Sequence, residues 1–108
     1  MVKQEKLDTV FKALSHHVRR DILVALSSGE KTVEELSKPY QISQPAISKH
    51  LNSLEKAGLI ERNRGGRYVY CTLEPKSLEA VSEWILQHAV FWSSQFNSLD
   101  NYLKAKRK

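Results

Sequence analysis

The side chains best suited to bind another molecule lie together on one short segment, residues 43–57. On a helical wheel, at about 100° per residue, three apolar residues cluster on one side: Ile47, Leu51 and Leu54. The other side carries Gln44, Pro45, Ser48, Lys49 and Asn52. Amides such as Gln44 and Asn52 can both donate to and accept from an adenine edge. The segment therefore favours a helix that reads DNA over an ordinary amphipathic surface helix.

Other residues of this segment add to the same chemistry. Ser48 can donate or accept at a base edge, Ala46 can touch a thymine methyl, and Lys49 suits a phosphate or a guanine. Ser43 is placed to cap the helix, and the free backbone amides beside it can hold a phosphate. His50 lies at the border of the two faces, either bonded to backbone at the edge of the core or in contact with a phosphate.

A second candidate group is a set of arginines around a pair of glycines. Arg62, Arg64 and Arg67 crowd around Gly65-Gly66, which predicts a two-residue turn between strands over 59–64 and 67–73. Three arginines on one hairpin repel one another unless an anion lies nearby. The hairpin therefore favours contact with DNA phosphates or the adjacent minor groove over a merely solvated charged loop.

Helices must hold these two groups together. The spacing predicts a first helix over 2–14, then a second helix capped by Ser15 and stopped by Gly29. Thr32 caps a short third helix, which Pro39 ends. Ser43 caps the fourth helix, and Gly58 closes it.

The last helix starts at Pro75 and is apolar over a wide surface. Leu78, Ile85, Trp92 and Leu99 recur every seven residues, with further apolar rows beside them. This surface is wider than the roughly 100° stripe that one packing partner needs. A second subunit is expected to cover it, together with the first helix. The expected interface residues are Leu7, Val10, Phe11, Trp84, His88, Phe91, Trp92, Phe96 and Leu99.

These elements predict a mainly α fold with a small β-hairpin, a winged helix-turn-helix of five helices and a two-stranded wing. The whole chain, 1–108, is expected to form one domain. Within it, 32–57 is the helix-turn-helix, 59–73 the wing, and 1–14 with 75–103 the dimerisation helices. The expected partners are a second copy of the chain and a double-stranded DNA operator.

The stretch 11–73 resembles the ArsR/SmtB family of bacterial and archaeal repressors. The matching strings are FKAL at 11–14, VRRDIL at 18–23, QPAISKHL at 44–51, LEKAGLI at 54–60 and GGR at 65–67. The last helix resembles the SdpR-like branch, which lacks metal-binding cysteines. The resemblance implies a dimeric DNA-binding repressor whose first and last helices form the interface.

Metal and cofactor sites are not expected. Founding members of the family sense metals through cysteines on the third helix, and here that helix has none. His88 has no ligand partner three or four residues away. His16 and His17 are adjacent, and neighbours on a helix do not face the same side. Ligands combined across a dimer remain an alternative, and the inducing signal is unknown.

Cys71 is the only cysteine of the chain, so no internal disulfide can form. It alternates with inward residues of its strand and is expected to be a small buried hydrophobe; the alternative is a redox-sensing thiol, which would need exposure and a lowered pKa.

Composition fits a binding module and argues against an enzyme. The chain has 108 residues, a net charge of +5 and a pI near 9.4, a balance compatible with nucleic acid. Ser53 and Lys56 spell a Ser-x-x-Lys pattern, but no glycine-rich phosphate loop or acid pair accompanies it. A winged domain used for protein contacts alone is the other alternative.

The polar N-terminus predicts no signal peptide, and no apolar run is long enough to cross a membrane. A cytoplasmic location without membrane contact is therefore expected. Lys104, Lys106, Arg107 and Lys108 form a basic tail, either a solvated end or a non-specific phosphate contact.

Overall fold

The computed structural model describes residues 4–106. Its helices are α1 (Gln4–Leu14), α2 (His17–Leu26), α3 (Val33–Ser37), α4 (Gln44–Lys56) and α5 (Pro75–Lys106), with a 3₁₀ turn at Lys38–Tyr40. Its strands are β1 (Lys31–Thr32), β2 (Ile60–Gly65) and β3 (Tyr68–Leu73). Residues 2 and 3 of the predicted first helix, and Arg107 and Lys108 of the basic tail, lie outside the described residues.

The start of α2 differs from the prediction by one residue. The N-cap is His16, whose Nδ1 accepts a hydrogen bond from the Val18 amide at 3.2 Å. The predicted cap, Ser15, instead donates its hydroxyl to the Lys12 carbonyl at the end of α1. The prediction was wrong because an unprotonated imidazole nitrogen can accept an amide hydrogen as a hydroxyl does.

The caps of the helix-turn-helix are confirmed. Thr32 accepts from the Glu35 amide while the Glu35 carboxylate accepts from the Thr32 amide, a complete capping box. Ser43 Oγ accepts from the Ala46 amide at 3.3 Å. Between the two helices Gln41 has a φ of 52°, which lets the chain turn from the 3₁₀ segment into α4.

The predicted two-stranded wing is present as β2 and β3, and the short strand β1 pairs with β3, so the sheet within residues 4–106 has three antiparallel strands in the order β1-β3-β2. Its turn is also shifted by one residue from the prediction. Gly65 pairs with Tyr68, so the turn residues are Gly66 and Arg67. Gly66 has a φ of 66°, the positive value that the first residue of a two-residue hairpin turn requires. At Gly65 an added Cβ would lie 2.9 Å from the Tyr70 ring, so that ring would have to shift to accept a larger residue.

The core lies under α4 and is closed by β3 and α5. The fully buried residues with the largest side chains are Ile22, Ile47, Leu51, Leu54, Leu59, Val10 and Cys71. The apolar face predicted for α4 is therefore confirmed, and it fixes which side of that helix points outward.

The helix α5 extends well past this core. Its 32 residues span about 48 Å at about 1.5 Å per residue. Ser77 and Val81 are its buried residues, and Ser77 Oγ would lie 2.8 Å from a Cβ at Gly58, so the loop after α4 packs closely on the start of α5. Every residue from 90 to 106 is exposed. No helix within residues 4–106 is long and apolar enough to span a bilayer.

Candidate nucleic-acid interface

The outer face of α4 presents the polar residues predicted to read DNA. Gln44, Pro45, Lys49 and Asn52 are exposed, while Ile47, Leu51 and Leu54 are completely buried beneath them. Ala46 and Ser48 are half-buried at the margins of this face, and the cap Ser43 is exposed at its end. The core thus holds the helix with its polar side chains facing solvent, an arrangement that fits a major groove.

Arg62 has a different environment from the other wing arginines. Its guanidinium donates to Glu55 Oε1 at 2.7 Å and also to Asn52 Oδ1. Glu55 was missed by the sequence analysis because its partner lies on another element, seven residues further along the chain. The sequence argument that the arginines need an external anion therefore does not apply to Arg62, which already has a carboxylate.

The same ion pair affects the titration of Glu55. Its hydrogen bond from Arg62 holds the pKa of the Glu55 carboxyl below its usual range, against a smaller opposing effect of burial. The carboxylate therefore stays charged at neutral pH. The same guanidinium positions Asn52 through a second hydrogen bond. Asn52, a predicted base-reading residue, therefore shares a hydrogen-bond network with Arg62 and Glu55 that the helical wheel did not reveal.

Arg64 and Arg67 remain exposed at the wing tip. Neither has a carboxylate within 4 Å among the described residues. Tyr68, half exposed beside them, meets Tyr70 edge-on with 6.4 Å between ring centroids. These two tyrosines were not singled out in the sequence, although their alternation in β3 placed both on the wing's outer face.

His50 is bonded to a side chain rather than to backbone, the first of the two environments considered from sequence. Its Nδ1 accepts a hydrogen bond from Arg19 Nε at 3.2 Å, and its ring lies 4.6 Å from that of His16. Burial lowers the pKa of His50, and the nearby His16, Arg19 and His17 lower it further. An unprotonated His50 therefore joins α4 to α2 through Arg19, a residue that the sequence analysis did not identify.

The histidines do not form a metal site among residues 4–106, where no group of three His, Cys, Asp or Glu side chains could hold an ion. The expectation that His16 and His17 face apart was wrong: their rings stack with 5.0 Å between centroids, because His16 is the cap rather than a helical residue. His88 stacks on Trp84, and its Nδ1 lies 2.8 Å from the Trp84 carbonyl oxygen.

Cys71 is fully buried in β3, as expected from its position in the strand. Burial raises the pKa of its thiol to about 11. A redox-sensing cysteine needs the opposite, an exposed sulfur with a lowered pKa. In this fold Cys71 acts as a small apolar core residue.

The residues expected at a dimer interface fall into two groups. Leu7 and Val10 are 4% and 1% exposed and belong to the core of their own subunit, so they are not available for a partner. Phe11 is partly exposed and meets Trp84 edge-on at 5.8 Å. Four apolar residues further along α5 each have more than half of their surface exposed: Phe91, Trp92, Phe96 and Leu99.

A polar-faced second helix of a helix-turn-helix, followed directly by a basic hairpin, is the architecture of a winged-helix DNA-binding domain. Residues 16–62 match the family described as "Bacterial regulatory protein, arsR family". The transcriptional repressor SdpR of Bacillus subtilis (strain 168) is 38% identical over 80 residues, 74% of this chain and 89% of that protein. The chain belongs to the ArsR family.

Two further relatives agree with this assignment. The arsenic resistance transcriptional regulator ArsR1 of Pseudomonas putida (strain KT2440) is 39% identical over 77 residues, which are 70% of this chain and 57% of that protein. A crystal structure of an ArsR family transcriptional regulator superposes with a TM-score of 0.80 at 35% identity, covering 86% of this chain and 96% of that one.

Proposed function

We propose that the protein is a homodimeric repressor that binds an imperfect palindromic operator and does not respond to metals. The observation that carries this proposal is the exposed polar face of α4, with Gln44 at its leading end and the free arginines of the wing beside it. Base-edge groups and phosphate-binding groups then have separate locations, as sequence-specific binding requires.

The dimer is supported by the apolar surface of α5. On a helix of 3.6 residues per turn, Val81, His88, Trp92 and Leu99 fall within about 40° of one another. Val81 is buried against the subunit's own core, but the same stripe continues outward with Trp92 and Leu99 more than half exposed. Burying one such aromatic is worth about 1.5–3 kcal/mol, so a second copy of α5 is a strong candidate to cover them.

The domain assignment follows from this arrangement. We infer that residues 75–103, with Phe11 of segment 1–14, form the interface, that 32–57 reads DNA and that 59–73 contacts the backbone. Two subunits related by a two-fold axis would place their α4 helices about one helical turn of DNA apart, or a multiple of it. A role on chromosomal DNA places the protein in the cytoplasm.

Metal independence is supported by the residues present. The segment of α3 has no thiol, Cys71 is buried, and His16 and His50 are committed to hydrogen bonds within the subunit. One relative is named for arsenic resistance, and similarity to that protein alone would suggest a response to arsenic. Metal independence is therefore worth testing directly.

The experiment is selection of bound sequences from a random DNA pool, followed by titration of the selected site and a scrambled site. A palindromic consensus with clear preference supports the proposal, and equal affinity for both sequences contradicts it. Binding to neither sequence would favour a winged domain that contacts only proteins. Added zinc or arsenite should leave operator affinity unchanged; release of the operator at micromolar metal would refute metal independence.

A further inference from the structure

A positively charged cleft lies between α1, α2 and α4, on a different flank of α4 from the one that Arg62 contacts. Its volume is about 210 Å³. The lining residues are Thr9, Lys12, Ala13, Arg19, Ser53 and Lys56. Each of the three helices contributes one cation, and no carboxylate from residues 4–106 lines the cleft. Such a concentration of like charge is unfavourable unless an anion offsets it.

The three cations are not neutralised within the described part of the chain. The ion pairs between residues 4 and 106 are Arg62–Glu55 and Lys104–Asp100. Lys12, Arg19 and Lys56 therefore have no carboxylate oxygen within 4 Å there. Glu5 lines the neighbouring shallow groove together with Lys56, but it too lies beyond that distance.

Arg19 is held in place by uncharged acceptors. Its Nε donates to His50 Nδ1 at 3.2 Å, and its Nη1 donates to the Lys12 carbonyl oxygen at 3.1 Å. The guanidinium is thus fixed in direction while its charge stays uncompensated. A fixed guanidinium with spare N–H groups is well suited to bind an oxyanion through two parallel hydrogen bonds.

We propose that this cleft binds a small oxyanion of the phosphate type, held by Arg19, Lys12 and Lys56. The Ser53 hydroxyl, half-buried in the cleft wall, is available as a neutral donor. The ligand would be free in solution rather than part of DNA. Lys56 lies about 18 Å along α4 from Gln44, at about 1.5 Å per residue, and the major groove is only about 8.5 Å deep. That choice of source rests on the proposed function, in which the Gln44 end enters the groove.

The test uses the full chain without DNA. Inorganic phosphate is titrated at constant ionic strength, with chloride as the balancing salt, and backbone amide shifts are followed by NMR. We expect saturable shifts confined to the cleft, at Thr9, Lys12 and Ser53. Lys56→Gln should weaken binding about tenfold, as loss of a charge-assisted hydrogen bond implies. Lys76→Gln, which removes an equal charge from the exposed start of α5, should leave it unchanged.

Three outcomes would overturn the proposal. Shifts that do not saturate, or that spread over all lysines, would mean general ion screening. Equal affinity in Lys56→Gln and the parent chain, with Lys12→Gln giving the same answer, would mean that the cleft is not the site. No phosphate binding, combined with a reduced salt dependence of DNA affinity in Lys56→Gln, would assign the cleft to the DNA backbone. Because the phosphate titration contains no DNA, it can be interpreted even if the proposed operator binding fails.

Discussion

Arg19 Nε donates a hydrogen bond to His50 Nδ1 across 3.2 Å, joining the first turn of α2 to the middle of α4. The bond exists only while that nitrogen is unprotonated, and the lowered pKa of His50 keeps it so. The contact therefore links the position of α4 to the protonation state of one imidazole.

This contact predicts a pH dependence of stability. The pKa of His50 in the folded protein lies below its value in the unfolded chain, about 6.5. As pH falls, the unfolded chain therefore binds a proton first, which stabilises it relative to the folded state. The free energy of unfolding should be constant above about pH 6.5 and fall as pH drops toward the lowered pKa. Urea titrations between pH 7.5 and 5 measure this. His50→Gln, whose amide oxygen can still accept from Arg19, should flatten the decline, whereas His88→Gln on α5 should not.

Base reading by Gln44 is the next prediction. Gln44→Ala removes a side chain at the exposed leading end of α4 while leaving the core residues untouched. We expect about 1–3 kcal/mol less binding free energy per reading contact, with relaxed base preference at particular operator positions. Competition titrations with single-base operator variants measure this. A Gln44→Ala protein that keeps the full base preference would show that another residue reads the DNA.

The wing should act differently, because phosphates are alike in every sequence. Arg67→Ala should weaken operator and scrambled DNA equally and reduce the slope of log affinity against log salt by about one per contact. Arg62→Ala is a contrasting variant, because its guanidinium is paired with Glu55 and also donates to Asn52. We expect it to lower stability by about 0.2–1 kcal/mol and to change DNA binding through Asn52 rather than through the salt slope. A change in base preference on loss of Arg67 would contradict this division of roles.

Association through α5 predicts a sharp difference between two apolar residues of that helix. Phe96→Ala removes an exposed aromatic on the wide apolar face and should raise the dimer dissociation constant by at least about tenfold, since its burial is worth about 1.5–3 kcal/mol. Val90→Ala, at a residue that is also exposed but lies on the side of α5 opposite Val81 and Leu99, should have little effect. Sedimentation should give about twice the chain mass of 12.4 kDa for the parent; a monomer at micromolar concentration would contradict the proposal.

Cys71 should be inert in the native protein. With a fully buried sulfur and a thiol pKa of about 11, almost no thiolate is present at pH 8. A disulfide-exchange reagent should therefore react at the rate of global or local opening and become fast only in denaturant. Rapid labelling under native conditions, accompanied by loss of DNA binding, would reinstate the redox alternative.

Features fixed by short stretches of chain could be predicted from sequence. The capping box of Thr32 and Glu35, the cap at Ser43 and the buried face of α4 each depend on residues within two helical turns. The single exception among the caps is His16, whose side chain is rarely used in that role. Fold class followed directly, because two capped helices and a glycine-containing hairpin occur in that order.

Features that depend on packing between distant elements could not be predicted. An apolar stripe on α1 does not say whether its own core or another subunit covers it, so Leu7 and Val10 were assigned to the interface although they are core residues. A charge run does not reveal its counterions, so Glu55 was missed as the partner of Arg62. The strand β1 has only two residues, too few to leave a periodic pattern.

That short strand has a mechanical consequence for the whole domain. Lys31 and Thr32 pair with Cys71 and Tyr70 of the hairpin, and Thr32 is also the cap of α3. The hairpin and the helix-turn-helix are thereby joined at the same residue, which limits their movement relative to each other. In the proposed dimer, each subunit would then span a fixed length of DNA. We would then expect any adjustment to a longer or shorter spacing between half-sites to come from the pairing of the two subunits, not from the wing.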